Sequence, residues 1–301
     1  MDFARLLLPD FALIAFGFLL CRYTALGREL WEQLERLVFY VLFPVLLFSS
    51  IVRNPLRLGE ASSLMAAGLL LGLAGIGLAL ALPRVPVIGR RIDARAHAGA
   101  AQVAYRFNSY VALSVAERLA GATGLQLLAV LIGTCVPLLN AASVWPMARH
   151  AQTSFAGVLV RHPLILATVA ALVANVAGFH VPAWLEPTVN RVGASSIPIG
   201  LMAAGAGMRL GSIARQKVLA VSVLGIKHLV LPLVAWVLVR LLGLDANQAT
   251  VLLLYSALPT AANCYVVAAR MGYDGGYVAG LVTLSTLLGV LSLTFAIGVL
   301  R

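Results

Sequence analysis

Two short polar stretches lie inside apolar segments that are long enough to cross a membrane. The first is FNSYVALS (107–114) and the second is ANCYVVAA (262–269); in each, Asn is followed two residues later by Tyr and then Val. An Asn amide both donates and accepts hydrogen bonds, so it can hold an interrupted helix backbone and also contact a ligand. We therefore interpret Asn108 and Asn263 as candidate residues of a site for an anion such as a carboxylate.

Further residues beside the two Asn residues extend this candidate substrate site. They are Arg106, Ser109 and Tyr110 near the first Asn, and Pro259, Thr260 and Tyr265 near the second. Because proline lacks a backbone N–H, Pro259 predicts a break within its helix. Half-helices created by such breaks direct partly positive N-termini toward the membrane midplane, where they favour a carboxylate. The alternative is that each Asn only bonds a neighbouring helix.

Basic side chains inside the apolar segments are candidates for charge compensation or coupling. A buried Arg106 would add a permanent positive charge to the site, whereas a later start of its segment would let the side chain reach the membrane surface. Lys227 and His228 lie halfway along a later segment, where they could contact substrate, pair with a carboxylate or change protonation during transport. The alternative for Lys227 is that it reaches the interface beside a kink at Pro232.

The composition is typical of an integral membrane protein. Of the 301 residues, 61% are hydrophobic and 11% are charged, and the mean hydropathy is +0.96. A soluble domain carries about 25% charged residues, so this chain has too little polar surface for a water-soluble fold. The net charge of +11 lies mostly in short connections, which indicates the positive-inside bias rather than a nucleic-acid surface. The 3 cysteines lack metal or disulfide spacing, and we expect no cofactor and no metal.

Ten apolar segments are predicted to be membrane-spanning α-helices. They run approximately over residues 5–21, 36–52, 62–82, 98–117, 124–147, 162–180, 192–210, 217–240, 248–269 and 278–300. The connections on the side of the N-terminus hold 7 Lys and Arg residues, and those on the opposite side hold 13. The positive-inside rule therefore predicts both termini on the non-cytoplasmic side.

Landmarks recur along the chain at a nearly constant offset, which indicates an internal duplication. Pro9 and Pro163 are 154 positions apart, Pro44 and Pro198 are also 154 apart, and the two Asn-x-Tyr-Val stretches are 155 apart. Because each copy has an odd number of helices, the second copy would enter the membrane from the opposite side. The predicted five-helix inverted repeats comprise residues 1–150 and 151–301. Segments 4 and 9 would then meet near the midplane.

Four stretches carry a resemblance to a known family. They are RFNSYVALSVAERLAGATGLQLLAVLIGTCVPLLNAASV (106–144), LPTAANCYVVAARMGYD (258–274), FPVLLFSSI (43–51) and KHLVLPLVAW (227–236). The chain resembles the bacterial branch of the auxin efflux carrier family, which includes the plant PIN-type transporters and is similar in fold to sodium-coupled bile-acid symporters.

This resemblance implies an architecture and a mechanism. Segments 1, 2, 6 and 7 would form a scaffold, and segments 3–5 and 8–10 a mobile transport domain in an elevator-type homodimer. Segments 4 and 9 would cross at breaks, with Asn108, Pro259 and Asn263 as crossover residues. Two features depart from the family pattern: segment 4 has no proline at its break, and AANCY replaces the usual Ser–Ala pair after Pro259.

The predicted function is secondary active or facilitative transport of a small organic anion across the bacterial inner membrane. Family substrates implied by the resemblance are auxin in plants and small carboxylates such as malonate in bacteria, with proton or sodium coupling left open. Alternatives are a sodium-coupled symporter of bulkier anions and a membrane-embedded anion sensor without flux. The chain contains no HExxH, Walker or GxSxG motif, so neither an enzyme nor an ATP-driven pump is expected.

Overall fold

The computed structural model describes residues 3–53, 58–151, 163–208, 216–261 and 264–300, and in these ranges the chain is helical without strands. The helices are α1 Phe3–Tyr23, α2 Arg28–Leu37, α3 Phe43–Arg53, α4 Leu58–Ala81, α5 Pro86–Gly89, α6 Ala94–Ala100, α7 Ser109–Ala151, α8 Pro163–Val176, α9 Glu186–Ala194, α10 Ser196–Ala206, α11 Lys217–Gly225, α12 Leu231–Leu241, α13 Ala246–Ala257, α14 Cys264–Arg270 and α15 Gly275–Gly298. π-Helical turns span Val38–Leu42 and Ile226–Val230, and 3-10 turns span Leu82–Arg84 and Ala101–Ala104. The prediction of an all-α fold is confirmed.

Membrane-length helices are present, as the composition predicts. Among the described residues, four apolar helical runs are long enough to cross a bilayer: Ser62–Arg84, Val111–Met147, Lys217–Leu241 and Gly275–Gly298. Segments 4 and 9, by contrast, leave the helical conformation partway along. The arrangement as ten crossings in two inverted repeats therefore stays a prediction.

The longest helical run, α7, is divided by a glycine. Val111–Met147 spans 37 residues, which at 1.5 Å per residue is about 55 Å and exceeds a hydrocarbon core of about 30 Å. Gly121 lies within the run at φ 56° and ψ −146°, a backbone conformation that side chains other than glycine rarely adopt. The chain turns there, between the predicted segments 4 and 5.

The helices pack in two groups. In the first, α1 packs on α10 and α3 packs on α8 and α9; in the second, α4 packs on α7 and α12, and α13 packs on α7, α12 and α15. The α1–α10 contact is unusually close, because a Cβ on Gly17 would overlap the Met202 carbonyl and a Cβ on Gly205 would overlap the Ile14 carbonyl. Small residues allow such backbone approach between membrane helices.

Candidate functional site

Two interruptions of helix meet inside the second group. Before α7, residues 105–108 are non-helical, and after α13, residues 258–261 are non-helical. The Asn108 backbone N–H donates to the Pro259 carbonyl across 2.7 Å. The two broken segments thus touch directly through their backbones, and we call residues 105–108 and 258–261 the crossover.

Asn108 begins a helix at the first interruption, although no proline is present there. Its side-chain Oδ1 accepts from the Val111 N–H at 3.3 Å, and its carbonyl accepts from the Ala112 N–H at 3.0 Å. This is the hydrogen bonding of an N-cap residue, which satisfies an otherwise unpaired N–H in the first turn. Asn108 is also buried. A polar cap therefore defines the start of the half-helix from Ser109.

Thr260 anchors the second interruption to two neighbouring elements. Its N–H donates to Ser285 Oγ on α15 at 2.9 Å, and its hydroxyl donates to the Val103 carbonyl at 2.8 Å. Gly289 permits close packing here, because a Cβ at that position would lie 2.7 Å from Pro259 Cγ. The Thr260 hydroxyl is thus hydrogen-bonded to segment 4, and Pro259 lies against α15.

His228 ties the end of α13 to the same network. Its Nδ1 and Nε2 lie 2.8 Å from Ser292 Oγ and 2.8 Å from Ser285 Oγ respectively. Because the Ser292 hydroxyl donates to the Ala257 carbonyl at 2.8 Å, we assign the His228 proton to Nδ1, with Nε2 accepting from Ser285. His228 therefore holds both edges of the second interruption through α15.

Lys227 is buried beside His228, in the π-helical turn. Such a turn inserts an extra residue into the helix, and here the consecutive residues Ile226, Lys227 and His228 are all buried. Lys227 is 1% exposed, so its side chain does not reach the interface. Its side chain lies close enough to Cys264, the first residue of α14, to interact with it electrostatically.

Arg106 lies inside the crossover. The side chain is 8% exposed, which places it in the protein interior rather than at the membrane surface. Its Nη1 donates to Gln102 Oε1 at 3.1 Å, and its guanidinium lies beside the Cys264 side chain. Arg106 and Lys227 therefore approach Cys264 from two different segments.

The electrostatic balance of this region is positive. Among the carboxylates whose side chains the structure describes, none is buried, whereas Arg106 and Lys227 both are. A charge in a protein interior interacts with other charges more strongly than in water, because the effective dielectric constant is lower. The arrangement is suited to attracting an anion.

The remaining predicted site residues occupy different places. Ser109 is half-buried at the start of α7, and Tyr110 belongs to the first turn of that helix. Tyr265 is half-buried and faces α2, where its hydroxyl donates to Glu35 Oε2 at 3.3 Å and the Arg28 guanidinium lies 5.6 Å from its ring centroid. Asn263 lies outside the described residues.

A small cavity, partly open to the surroundings, lies beside Tyr265 and has room for about one water molecule. Its lining residues are Arg28, Trp31, Glu32, Glu35, Ala203, Ala206, Gly207 and Tyr265. Because two carboxylates and one guanidinium line it, the cavity lacks the positive balance of the crossover. Through its hydroxyl, Tyr265 thus contacts α2, a helix that packs on α10 of the first group.

Sequence reasoning missed three side chains that build the crossover. Gln102 bonds Arg106, and Ser285 and Ser292 bond His228. The signal for Gln102 was available, because an amide in an apolar segment needs a partner in the same way as Asn108 does. Serines are common in membrane helices, so Ser285 and Ser292 had no comparable signal.

Comparison with known proteins places most of the chain in one family. Residues 90–297 match the model of a family described as membrane transport protein. A protein of Rhizobium meliloti (strain 1021) named "Putative malonate transporter" is 24% identical over 312 aligned residues, covering 100% of this chain and 96% of that protein. The match to the family begins before Arg106 and ends after the last residue of the His228 network.

Proposed function

Because the chain belongs to the membrane transport protein family, which is of the auxin efflux carrier type, we propose that it carries a small carboxylate across the bacterial inner membrane. The family makes the chain a multi-pass membrane transporter and points away from an enzyme, as the sequence predicts. We propose in addition a substrate class and a transport movement, and the experiments below test for a coupled ion.

One observation carries the choice of an anion. Arg106 and Lys227 are buried near Cys264, and no buried carboxylate is found among the described side chains. A buried positive charge is costly, and an anionic ligand that enters the site reduces that cost. A cationic substrate would instead add to the buried positive charge.

The polar groups of the crossover suit a carboxylate. The Asn108 amide lies at the start of α7, where a helix N-terminus adds a partial positive charge. The name of the Rhizobium meliloti protein supports the same class, and malonate is the first substrate to test.

The proposed movement is an elevator-type displacement of one helix group past the other. Helices α1–α3 and α8–α10 would form the scaffold, and α4–α7 and α11–α15 the transport domain. The packing supports this division, because α1 and α3 contact α10 and α8 while the crossover helices pack on α4 and α15. We include in the proposal a homodimer and termini on the non-cytoplasmic side.

The decisive experiment is uptake of radiolabelled malonate into liposomes that contain the purified protein. The wild type should accumulate the label, and Asn108→Ala should lower kcat/KM at least about tenfold, because a hydrogen bond to a charged group contributes about 1.5–3 kcal/mol. Asn247→Ala is the matched control, since Asn247 is exposed at the start of α13. Equal uptake by Asn108→Ala and the wild type would remove Asn108 from the substrate site.

The same preparation separates the alternatives. Uptake that requires a sodium gradient would favour a sodium-coupled symporter. Ligand at 100 times its Kd stabilises the folded state by about 2.7 kcal/mol, so binding is measurable as a rise in Tm. A rise in Tm without uptake would indicate an anion sensor.

A further inference from the structure

Gln102 connects the two broken segments at the crossover. It lies in the 3-10 turn Ala101–Ala104 and is 1% exposed. Its Nε2 donates to the Gly99 carbonyl at 3.0 Å and to the Cys264 carbonyl at 3.2 Å, and its Oε1 accepts from Arg106 Nη1 at 3.1 Å. One side chain thus contacts its own helix, the start of α14 and the buried guanidinium.

The partners determine which way the amide points. Both backbone groups are carbonyls and can only accept, so the NH2 group must face them and the amide oxygen must face Arg106. The amide NH2 group then donates to both carbonyls, and the amide oxygen accepts from the charged guanidinium. Rotation of the amide by 180° would set its oxygen against two carbonyl oxygens and its NH2 against a guanidinium.

The neutrality of this side chain has an electrostatic consequence. Glu would have nearly the same size and could also accept from Arg106, and an arginine–carboxylate pair is the stronger interaction. It would also cancel the guanidinium charge and leave the Gly99 and Cys264 carbonyls without their donor. Gln holds the guanidinium in place without adding a negative charge beside it.

We propose that Gln102 is a positioning and specificity-determining residue of the transporter: it orients Arg106 within the crossover and places no negative charge beside the guanidinium, so that the site selects substrate by negative charge. This inference rests on the proposed transport of a carboxylate. It assigns to Gln102 no contact with the substrate.

The first test compares two acids that differ by one charge, malonate and monomethyl malonate, in uptake by Gln102→Glu. We expect KM for malonate to rise about tenfold or more with kcat within about twofold, and KM for the half-ester to rise less, because the site loses one positive charge. Gln102→Met removes the orienting bond without adding charge and should raise both KM values by similar factors. Gln33→Glu, on the exposed face of α2, is the charge control.

A merely structural role predicts a different pattern. Gln102→Glu and Gln102→Met would then lower kcat or the yield of folded protein together, with no discrimination between the two acids. That result, or equal loss of affinity for both acids in Gln102→Glu, overturns charge selection by Gln102.

A second measurement does not depend on any substrate. The Tm values of Gln102→Met, Arg106→Met and the double variant form a cycle, and residues in direct contact should give a double-variant shift clearly smaller than the sum of the single shifts. If the wild type neither binds nor carries an acid, the proposed function fails while this cycle still decides whether Gln102 holds Arg106. Additive shifts would overturn the positioning role.

Discussion

The two broken segments of the crossover reach the same backbone geometry by different means. In segment 9, Pro259 removes a donor and hydroxyl groups of α15 bind the interrupted chain. Segment 4 has no proline at its break, and Asn108 caps the new helix while Gln102 spans the gap. The comparison teaches that a helix can be interrupted in a membrane wherever polar side chains satisfy the freed groups, with or without proline.

The two breaks also differ in what holds them. The segment 9 break is bonded to α15 and, through it, to the π-helical turn at His228. The segment 4 break is held by the Asn108 cap within its own segment and by bonds to segment 9. These bonds run from the Asn108 N–H to the Pro259 carbonyl, from Gln102 to the Cys264 carbonyl and from Thr260 to the Val103 carbonyl. Because the segment 9 break depends on hydroxyl groups of α15, we expect substitutions of those α15 residues to cost more stability than substitutions at the segment 4 break.

The largest effect is expected for Ser285→Ala. This change removes the partner of the Thr260 N–H and of His228 Nε2, and each buried polar group left without a partner costs about 1–3 kcal/mol. Tm of the detergent-solubilised protein measures the loss. Ser222→Ala is the control, because that hydroxyl bonds the Val218 carbonyl of its own helix at 2.8 Å. If the two variants have similar Tm values, the hydrogen bonds of Ser285 do not support the segment 9 break.

A smaller loss is expected for Gly289→Ala. The added Cβ would lie 2.7 Å from Pro259 Cγ, so α15 or the break must shift, at a cost of about 1–3 kcal/mol for overpacking. In the control, Gly77→Ala, the added methyl group meets no atom within 4 Å. That variant should match or slightly exceed wild-type Tm, because Ala favours helix over Gly. If Gly289→Ala has the same Tm as Gly77→Ala, α15 does not fit closely against Pro259.

The smallest stability effect is expected for Asn108→Ser. Ser retains an N-cap oxygen, so the start of α7 should remain within about 0.5 kcal/mol of wild type, whereas Asn108→Ala should lose about 1 kcal/mol. Both variants lack the amide proposed to bind substrate, so malonate uptake should fall in both. Restored uptake in Asn108→Ser would show that Asn108 acts as a cap alone.

The sequence predicts much of this site, and the limits have physical causes. Asn108 and Pro259 were recognisable because an amide and a proline in an apolar helix each disturb backbone pairing. The burial of Arg106 was left open, since a residue near the end of a segment can face the interior or the surface. A substrate role for Tyr265 stays a prediction, and the structure adds that its hydroxyl is bonded to Glu35, a partner that no local pattern indicates.

The amino-acid sequence by itself determined that this chain is an all-α membrane protein of the auxin efflux carrier type, because composition, segment length and local motifs depend on neighbours along the chain. Only the tertiary structure decided that Asn108 meets Pro259, that Gln102 meets the Cys264 carbonyl and that His228 is bonded to two serines. Those partners are as far as 162 positions apart, as for Gln102 and Cys264, and no local pattern specifies which distant group will satisfy a buried polar atom. The packing of the helices makes that choice.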